Sequence, residues 1–311
     1  MTASVRHIPV MLKEVLEYLS PKNNETYVDA TFGNGGYTEA ILNSAECKVI
    51  ALDRDPSVLP RVNELKNQYG SRFEFRAGTF GNFQNLIKEK INGAVFDIGV
   101  SSMQLDDDFR GFSFSKEAPL DMRMSMSGLS AQDIVNTYAE KDLADIIYLY
   151  GEEKKSRQIA TKIVQYRKNK AIETTTELAE IIYQVMPKRF GQIDPATRTF
   201  QALRIAVNDE LQELQKGLIG AANNLSSEGR LVVVDFHSLE DRIVKNFFAE
   251  NTPKKTHTSR YGSSISNTDN DKLFSSVSKA ITPSVDEINY NPRARSAKLR
   301  YAIKRKELSH E

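Results

Sequence analysis

The residues best suited to chemistry lie in one short run, Asp29-Ala30-Thr31-Phe32-Gly33-Asn34-Gly35-Gly36. Glycines there let the backbone approach a ligand closely, because no Cβ stands in the way. A dinucleotide loop of the form G-x-G-x-x-G needs glycine at position 38, where the chain has Thr38. The GxGG form suits S-adenosylmethionine better, since that molecule brings no pyrophosphate to a helix N-terminus. Asp53 follows Gly33 by 20 residues, the spacing at which an acid accepts hydrogen bonds from ribose hydroxyls. A plain tight turn would use the same glycines, but Asp53 at that distance favours the ligand. Phe80 and Asp97 extend the set. An aromatic past the third strand can stack on adenine or simply anchor a loop. An acid at the carboxyl end of the fourth strand lies where α/β sheets bind ligands, or it caps the turn at Ser101 and Ser102.

Other chemistry is thinly represented. Cys47 is the single cysteine, which excludes a disulfide framework or a CxxC site and reads as a small packed residue. The four histidines, 7, 237, 257 and 310, are too scattered to suggest a metal cluster, so no metal is expected. His237, with Ser238 and Asp241, follows Asp235-Phe236 at the end of another strand. It reads either as a contact to substrate or as part of a helix cap. Lys+Arg total 42 and Asp+Glu 41, so the chain is not basic overall, although a local basic surface can be hidden by cancellation. Candidates for such a surface are Arg110, Arg123, Arg198, Arg204 and a tail that starts with Arg293 and Arg295.

These residues need a scaffold, and the pattern supplies one. Short β-rich runs at 27–31, 48–52, 72–75 and 93–97 alternate with helical segments, which implies βαβ units and a parallel sheet. Residues 106–128 read as loop, and the chain then reads as helix almost to 225. Ser130 with Asp133, and Thr174 with Glu177, have capping-box spacing. Gly151 reads as a helix C-cap and Thr199–Leu211 as one amphipathic helix. Strand character returns at 229–236, and Ser238 and Asp241 are expected to cap a helix to about Glu250. Residues 251–288 are polar and expected to be mobile, and Ala297–Ile303 alternates as a strand. The expected architecture is an α/β, Rossmann-like domain made of 1–104 and 216–311, interrupted by a helical insertion at 105–215. No apolar run approaches the ~20 residues that span a bilayer.

Seven blocks in order carry a resemblance: DATFGNGGYT, LDRDP, FDIGVSSMQLDDDFRGFSF, PLDMRM, ATRTFQALRI with VN and EL, DFHSLEDRIVK and NPRARSAKLR. Together they resemble the bacterial RsmH (MraW) family and its mitochondrial relatives, over about residues 6–305. The resemblance implies an S-adenosylmethionine-dependent methyltransferase fold. It implies methylation of the exocyclic N4 of a cytidine in the decoding region of small-subunit ribosomal RNA, within the assembled or nearly assembled subunit. Gly35, Gly36, Tyr37, Asp53, Phe80, Asp97 and Gln104 match the family's cofactor contacts. Tyr37 stands where many members carry His, Met103 replaces the usual Pro before Gln104, and Tyr138 lies near a helix that usually bears Trp.

The chemistry asks for positioning. The N4 lone pair is delocalised into the ring and must be held in line with the methyl carbon. Asp97 is the nearest acid with a suitable address to accept the amine proton, though the resemblance gives it to the cofactor. The target base must be unstacked and phosphates contacted, for which Arg110, Arg123, Arg198, Arg204, His237, Arg293 and Arg295 are the candidates. Rival readings are a non-catalytic ribosome assembly factor that keeps the cofactor fold, and a nicotinamide dehydrogenase, which Thr38 disfavours. The blocks begin at His7, leaving no room for a transit peptide, so the bacterial cytoplasm is expected over the mitochondrial matrix. The oligomeric state stays open, a dimer included.

Overall fold

The computed structural model describes residues 9–101, 103–104, 107–253 and 272–306. His7, Ser102, His257 and His310 lie outside the described residues, as does much of the 251–288 stretch. The chain divides into two compact units, Met1–Gly99 with Leu211–Glu311, and Val100–Glu210.

The first unit is built on a seven-stranded sheet. Its strands are β1 (Thr26–Asp29), β2 (Lys48–Asp53), β3 (Phe73–Ala77), β4 (Ile91–Asp97), β5 (Leu225–Asp235), β6 (Phe274–Val277) and β7 (Lys298–Lys304), in the order β3-β2-β1-β4-β5-β7-β6. The first five run parallel, and β7 pairs antiparallel with β5 and β6. Parallel strands buried on both faces must be apolar nearly throughout. Val49 to Leu52, Ala94 to Phe96 and Leu231 to Val234 meet that demand, at zero exposure. The helices in the first stretch of this unit are α1 (Leu12–Leu19), α2 (Gly36–Ser44), α3 (Leu59–Tyr69) and α4 (Phe83–Leu86), and three more follow among the described residues of its second stretch. On one face of the sheet, Phe83, Ile87, Leu214, Leu218, Val244 and Phe248 pack over Val28, Ile50, Phe96 and Val233.

The second unit is helical: α5 (Ala131–Thr137), α6 (Glu140–Gly151), α7 (Ser156–Arg167), α8 (Thr175–Val185) and α9 (Ala196–Asn208). Ile134, Leu143, Ile147, Ile159, Ile163, Leu178, Ile182 and Leu203 form its core. Both expected capping boxes are present, Ser130 with Asp133 and Thr174 with Glu177.

Several local expectations are corrected. Thr199–Leu211 is not one helix: α9 ends at Asn208, Asp209 turns left-handed (φ 51°), and α10 (Glu210–Asn224) begins anew. Gly151 does not cap α6 but is its last residue. A Cβ there would meet the Arg198 carbonyl oxygen at 2.5 Å, so glycine permits close packing on α9, and Glu152 takes the left-handed cap (φ 49°). The helix after β5, α11 (Ser238–Glu250), is capped by His237 with Glu240, one residue earlier than Ser238 with Asp241. The 251–288 stretch contains β6 and most of α12 (Val285–Tyr290). Ser284 caps that helix through Glu287, whose carboxylate also accepts the Met11 N–H (2.5 Å). Among the described residues, no helix is long and apolar enough to cross a membrane.

Candidate functional site

The glycine loop leaves β1 and is pinned on both sides. Ala30 N–H donates to Val95 of β4, and Phe32 N–H donates to Leu52 of β2, both at 2.9 Å. Gly33 (φ 51°) and Gly35 (φ 73°) then take left-handed backbone, which costs an L residue energy and glycine almost none. A Cβ on Gly35 would also lie 2.9 Å from both Leu65 and Phe32. Gly35 is the residue before α2, so the first-turn amides of that helix face the end of the sheet where β1, β2 and β4 stop.

Asp53 reaches this loop directly. Its Oδ2 accepts Gly33 N–H and its Oδ1 accepts Asp55 N–H, each at 2.8 Å. The 20-residue spacing is therefore a physical contact. Two amide bonds leave further lone pairs on the carboxylate, which can still accept from hydroxyls. Burial raises the Asp53 pKa, while these amides act to lower it.

Beneath the loop sits Asp29, wholly buried. It accepts from Thr38 Oγ (2.7 Å) and Thr31 N–H (3.2 Å). Thr38, whose presence breaks the dinucleotide fingerprint, thus ties α2 to β1. Burial pushes the Asp29 carboxyl up to about 6. Asp97 ends β4, with its N–H held by Thr31 Oγ at 2.8 Å. Its Oδ1 is sealed from solvent and has no hydrogen-bond partner. Burial, then the nearby charges of Asp29 and Glu240, push the Asp97 carboxyl up to about 8. A carboxyl poised near neutrality can both accept and release a proton.

Other expected contacts fall out differently. Tyr37 is buried and its hydroxyl donates to the Val10 carbonyl, so its side chain belongs to the core and only its backbone stays at the α2 N-terminus. Phe80 is half-buried, packing edge-to-face on Phe96 with centroids 5.8 Å apart, and the next amide, Gly81, donates to Glu213. Gln104 belongs to the helical unit, where its Oε1 accepts Ser101 N–H (3.0 Å) and its own N–H donates to Ser101 Oγ.

The basic candidates separate into two groups. Arg110 donates to the Arg123 and Met124 carbonyls and lies over the Phe112 ring. Arg123 holds Asp121 through two bonds, and Arg204 holds Glu210 at 2.8 Å through two more. These three arginines stabilise the protein itself. Arg198 is exposed, 3.8 Å from Glu153, and Arg293 and Arg295 are exposed on the 3₁₀ turn Pro292–Ser296. His237 is a cap: its Nδ1 accepts Glu240 N–H (3.4 Å), its Nε2 lies 3.0 Å from Glu240 Oε1, and Glu240 accepts the Phe236 and His237 amides. Asp241, released from capping, pairs with Lys298 and Arg300.

Two further acids at the strand ends have no role that the sequence assigns. Asp29 stood inside the quoted run, and an acid at the last strand position before a glycine loop was its signal. Asp235 is fully buried at the end of β5, with neither carboxyl oxygen partnered, and no pattern in the sequence distinguishes it from an ordinary strand-end acid.

Residues 4–305 match the family model described as the MraW methylase family. A relative from Rickettsia massiliae, named ribosomal RNA small subunit methyltransferase H, is 55% identical over 298 residues, covering 95% of this chain and 97% of its own. One of the same name from Rickettsia bellii is 54% identical over 300 residues, covering 96% and 98%. The solved structure of a putative rRNA methylase from Clostridium thermocellum is similar at 12% identity, covering 96% of this chain and 99% of its own, with a TM-score of 0.45.

Proposed function

The chain belongs to the MraW methylase family, and we propose that it methylates the exocyclic N4 of a specific cytidine in the decoding region of small-subunit ribosomal RNA. The observation that carries this reading is the junction of the Gly33–Gly36 loop with Asp53, beside an Asp97 oxygen that has no partner of its own. A left-handed glycine loop, an acid bonded to it, and a neighbouring carboxyl with an unpartnered oxygen fit a nucleoside cofactor. S-adenosylmethionine bound there supplies a methyl group on a positively charged sulfur.

The protein's own residues do the rest. Gly33 and Gly35 keep the loop free of side chains, and Asp53 offers its remaining lone pairs to ribose hydroxyls. The Asp97 carboxylate would take up the proton that N4 loses on methylation, and burial that raises its affinity for protons favours that transfer. The helical unit, with exposed Arg198, is the substrate-recognition part, and the substrate is the assembled or nearly assembled small subunit.

The test is incubation with labelled S-adenosylmethionine and small subunits from a strain lacking the gene, followed by nucleoside mass spectrometry. Methyl-N4 cytidine is the expected product. Its absence on every assembly form, with cofactor bound, would instead mark an assembly factor.

A further inference from the structure

The helical unit carries one feature that its own fold does not use. Between α8 and α9, residues Pro187 to Ile193 are all exposed. At the apex the Phe190 ring stands wholly in solvent (109% exposure), with Ile193 at 76%. Apolar side chains gain by burial, so a fully exposed ring on a built loop is unusual.

The loop is built. Met186 N–H closes α8 on the Ile182 carbonyl, and Pro187 stops the helix. On the return, the Asp194 carboxylate accepts from the Tyr183 hydroxyl (3.1 and 3.2 Å) and from Ala196 N–H (2.9 Å). Lys188 Nζ lies 3.3 Å from Asp194 and 4.3 Å from the Tyr183 ring centroid. The apex closes through Gln192 N–H to the Arg189 carbonyl, with Gly191 left-handed (φ 74°). No atom lies within 4 Å of where a Gly191 Cβ would be, so glycine serves the backbone there and leaves the apex open.

Charge selects the occupant. Lys188 and Arg189 stand against the single acid of this loop, Asp194, which Lys188 covers. Among the described residues Arg189 pairs with no acid, leaving its guanidinium to an outside anion. A flat aromatic ring beside free guanidinium is the arrangement that holds an unpaired base and its phosphate. The other exposed phenylalanine of this unit makes the contrast: Phe109 (81%) follows Asp106-Asp107-Asp108, which would repel phosphate.

We propose that the Lys188–Ile193 loop is an RNA contact in which Phe190 stacks on an unpaired base of the substrate and Arg189 neutralises a neighbouring phosphate. This rests on the ribosomal RNA reading above, and it names a surface that the cofactor chemistry does not require.

The experiment uses the full chain and small subunits from a strain lacking the gene, and it reads affinity apart from turnover. Phe190→Ala should weaken subunit binding about 10-fold, within the range that loss of one base stack produces. Phe190→Trp should restore it, and neither should change cofactor affinity or the unfolding midpoint. Arg189→Ala should weaken binding and lower the salt slope by about 1. A photo-crosslinking benzoylphenylalanine at position 190 should join to rRNA. Crosslinking to a ribosomal protein, or no crosslink with unchanged Phe190→Ala affinity, overturns the proposal. Wild-type protein that binds and crosslinks without forming methyl-N4 cytidine would sink the enzymatic reading and leave this one standing.

Discussion

The carboxylates at the strand ends of the sheet unit behave oppositely to those of the helical unit. In the helical unit they are answered by the protein. The Ser130 hydroxyl and amide lower the Asp133 pKa, and Lys170 lowers that of Glu177. At Asp121, burial acts to raise the pKa, but Arg123 outweighs it and the net shift is downward. At the strand ends of the sheet unit, burial dominates and raises Asp29, Asp53, Asp97 and Asp235. Paired acids hold loops and helix ends in place. Buried ones with no cation in hand cost stability, and such groups are retained where an outside partner uses them. The contrast separates residues that build from residues that act, and each of the following substitutions tests one side of it.

The largest effect is expected on the building side. Arg204→Ala leaves Glu210, only 3% exposed, without its two-bonded partner. Unfolding in urea should show a loss of about 3–5 kcal/mol, the usual cost of stranding a buried charge. The double variant Arg204→Met, Glu210→Leu should recover most of it. A loss under about 1 kcal/mol would mean that the pair is screened like a surface bridge and that the helical unit does not depend on it.

Asp97→Asn should act the other way. It removes a carboxyl whose ionised form is penalised, so folding stability at pH 8 should hold or rise. Turnover should fall about 100-fold, the lower end of what a positioned general base supplies. In the parent enzyme, the rate should climb as pH rises through about 8, where Asp97 ionises, and the variant should lose that limb. A variant that is unstable yet fully active would assign Asp97 to the building group.

Asp53 stands between the groups, since it both bonds the loop and faces outward. Asp53→Ala should weaken S-adenosylmethionine binding by about 10- to 100-fold, equivalent to about 1.5–3 kcal/mol for a charged acceptor. Calorimetry that finds unchanged affinity would show that the carboxylate only fixes the Gly33 and Asp55 amides.

What the sequence disclosed follows the same division. Local signals were legible: the glycine loop, the capping boxes of Ser130 and Thr174, and the apolar runs of β2, β4 and β5 each depend on neighbours a few residues away. Asp53 was legible because its spacing to Gly33 is set by one βαβ unit. Long-range pairings were hidden. Nothing in the run around Arg204 announces that Asp209 breaks the helix and turns Glu210 back onto it. Charge alone made Arg110, Arg123 and Arg204 look available for phosphate, whereas carbonyls and acids brought close by folding take them up. Arg110 is the clearest instance, because its partners are carbonyls, which composition does not reveal.

Asp235 gives the most graded test. Lys298 sits opposite it on β7, but Lys298 and Arg300 both bond Asp241, so Asp235 has the cations near and none in hand. Burial, then Asp241 and Glu240, push its carboxyl up to about 8. An unfolded carboxylate titrates near about 4, so between those values the folded chain holds a proton that the unfolded chain has released. The native state is therefore favoured at low pH, and that contribution is lost as pH rises from about 4 through about 8. The slope is at most about 1.4 kcal/mol per pH unit. Asn in place of Asp235 cannot ionise. Urea unfolding of Asp235→Asn between pH 5 and 8 should decline with pH less steeply than the parent by up to that amount, while Asp29 and Asp97 keep the remaining slope negative. Identical slopes would mean that Lys298 leaves Asp241 to answer Asp235 as it ionises, which would move Asp235 into the same class as the paired acids of the helical unit.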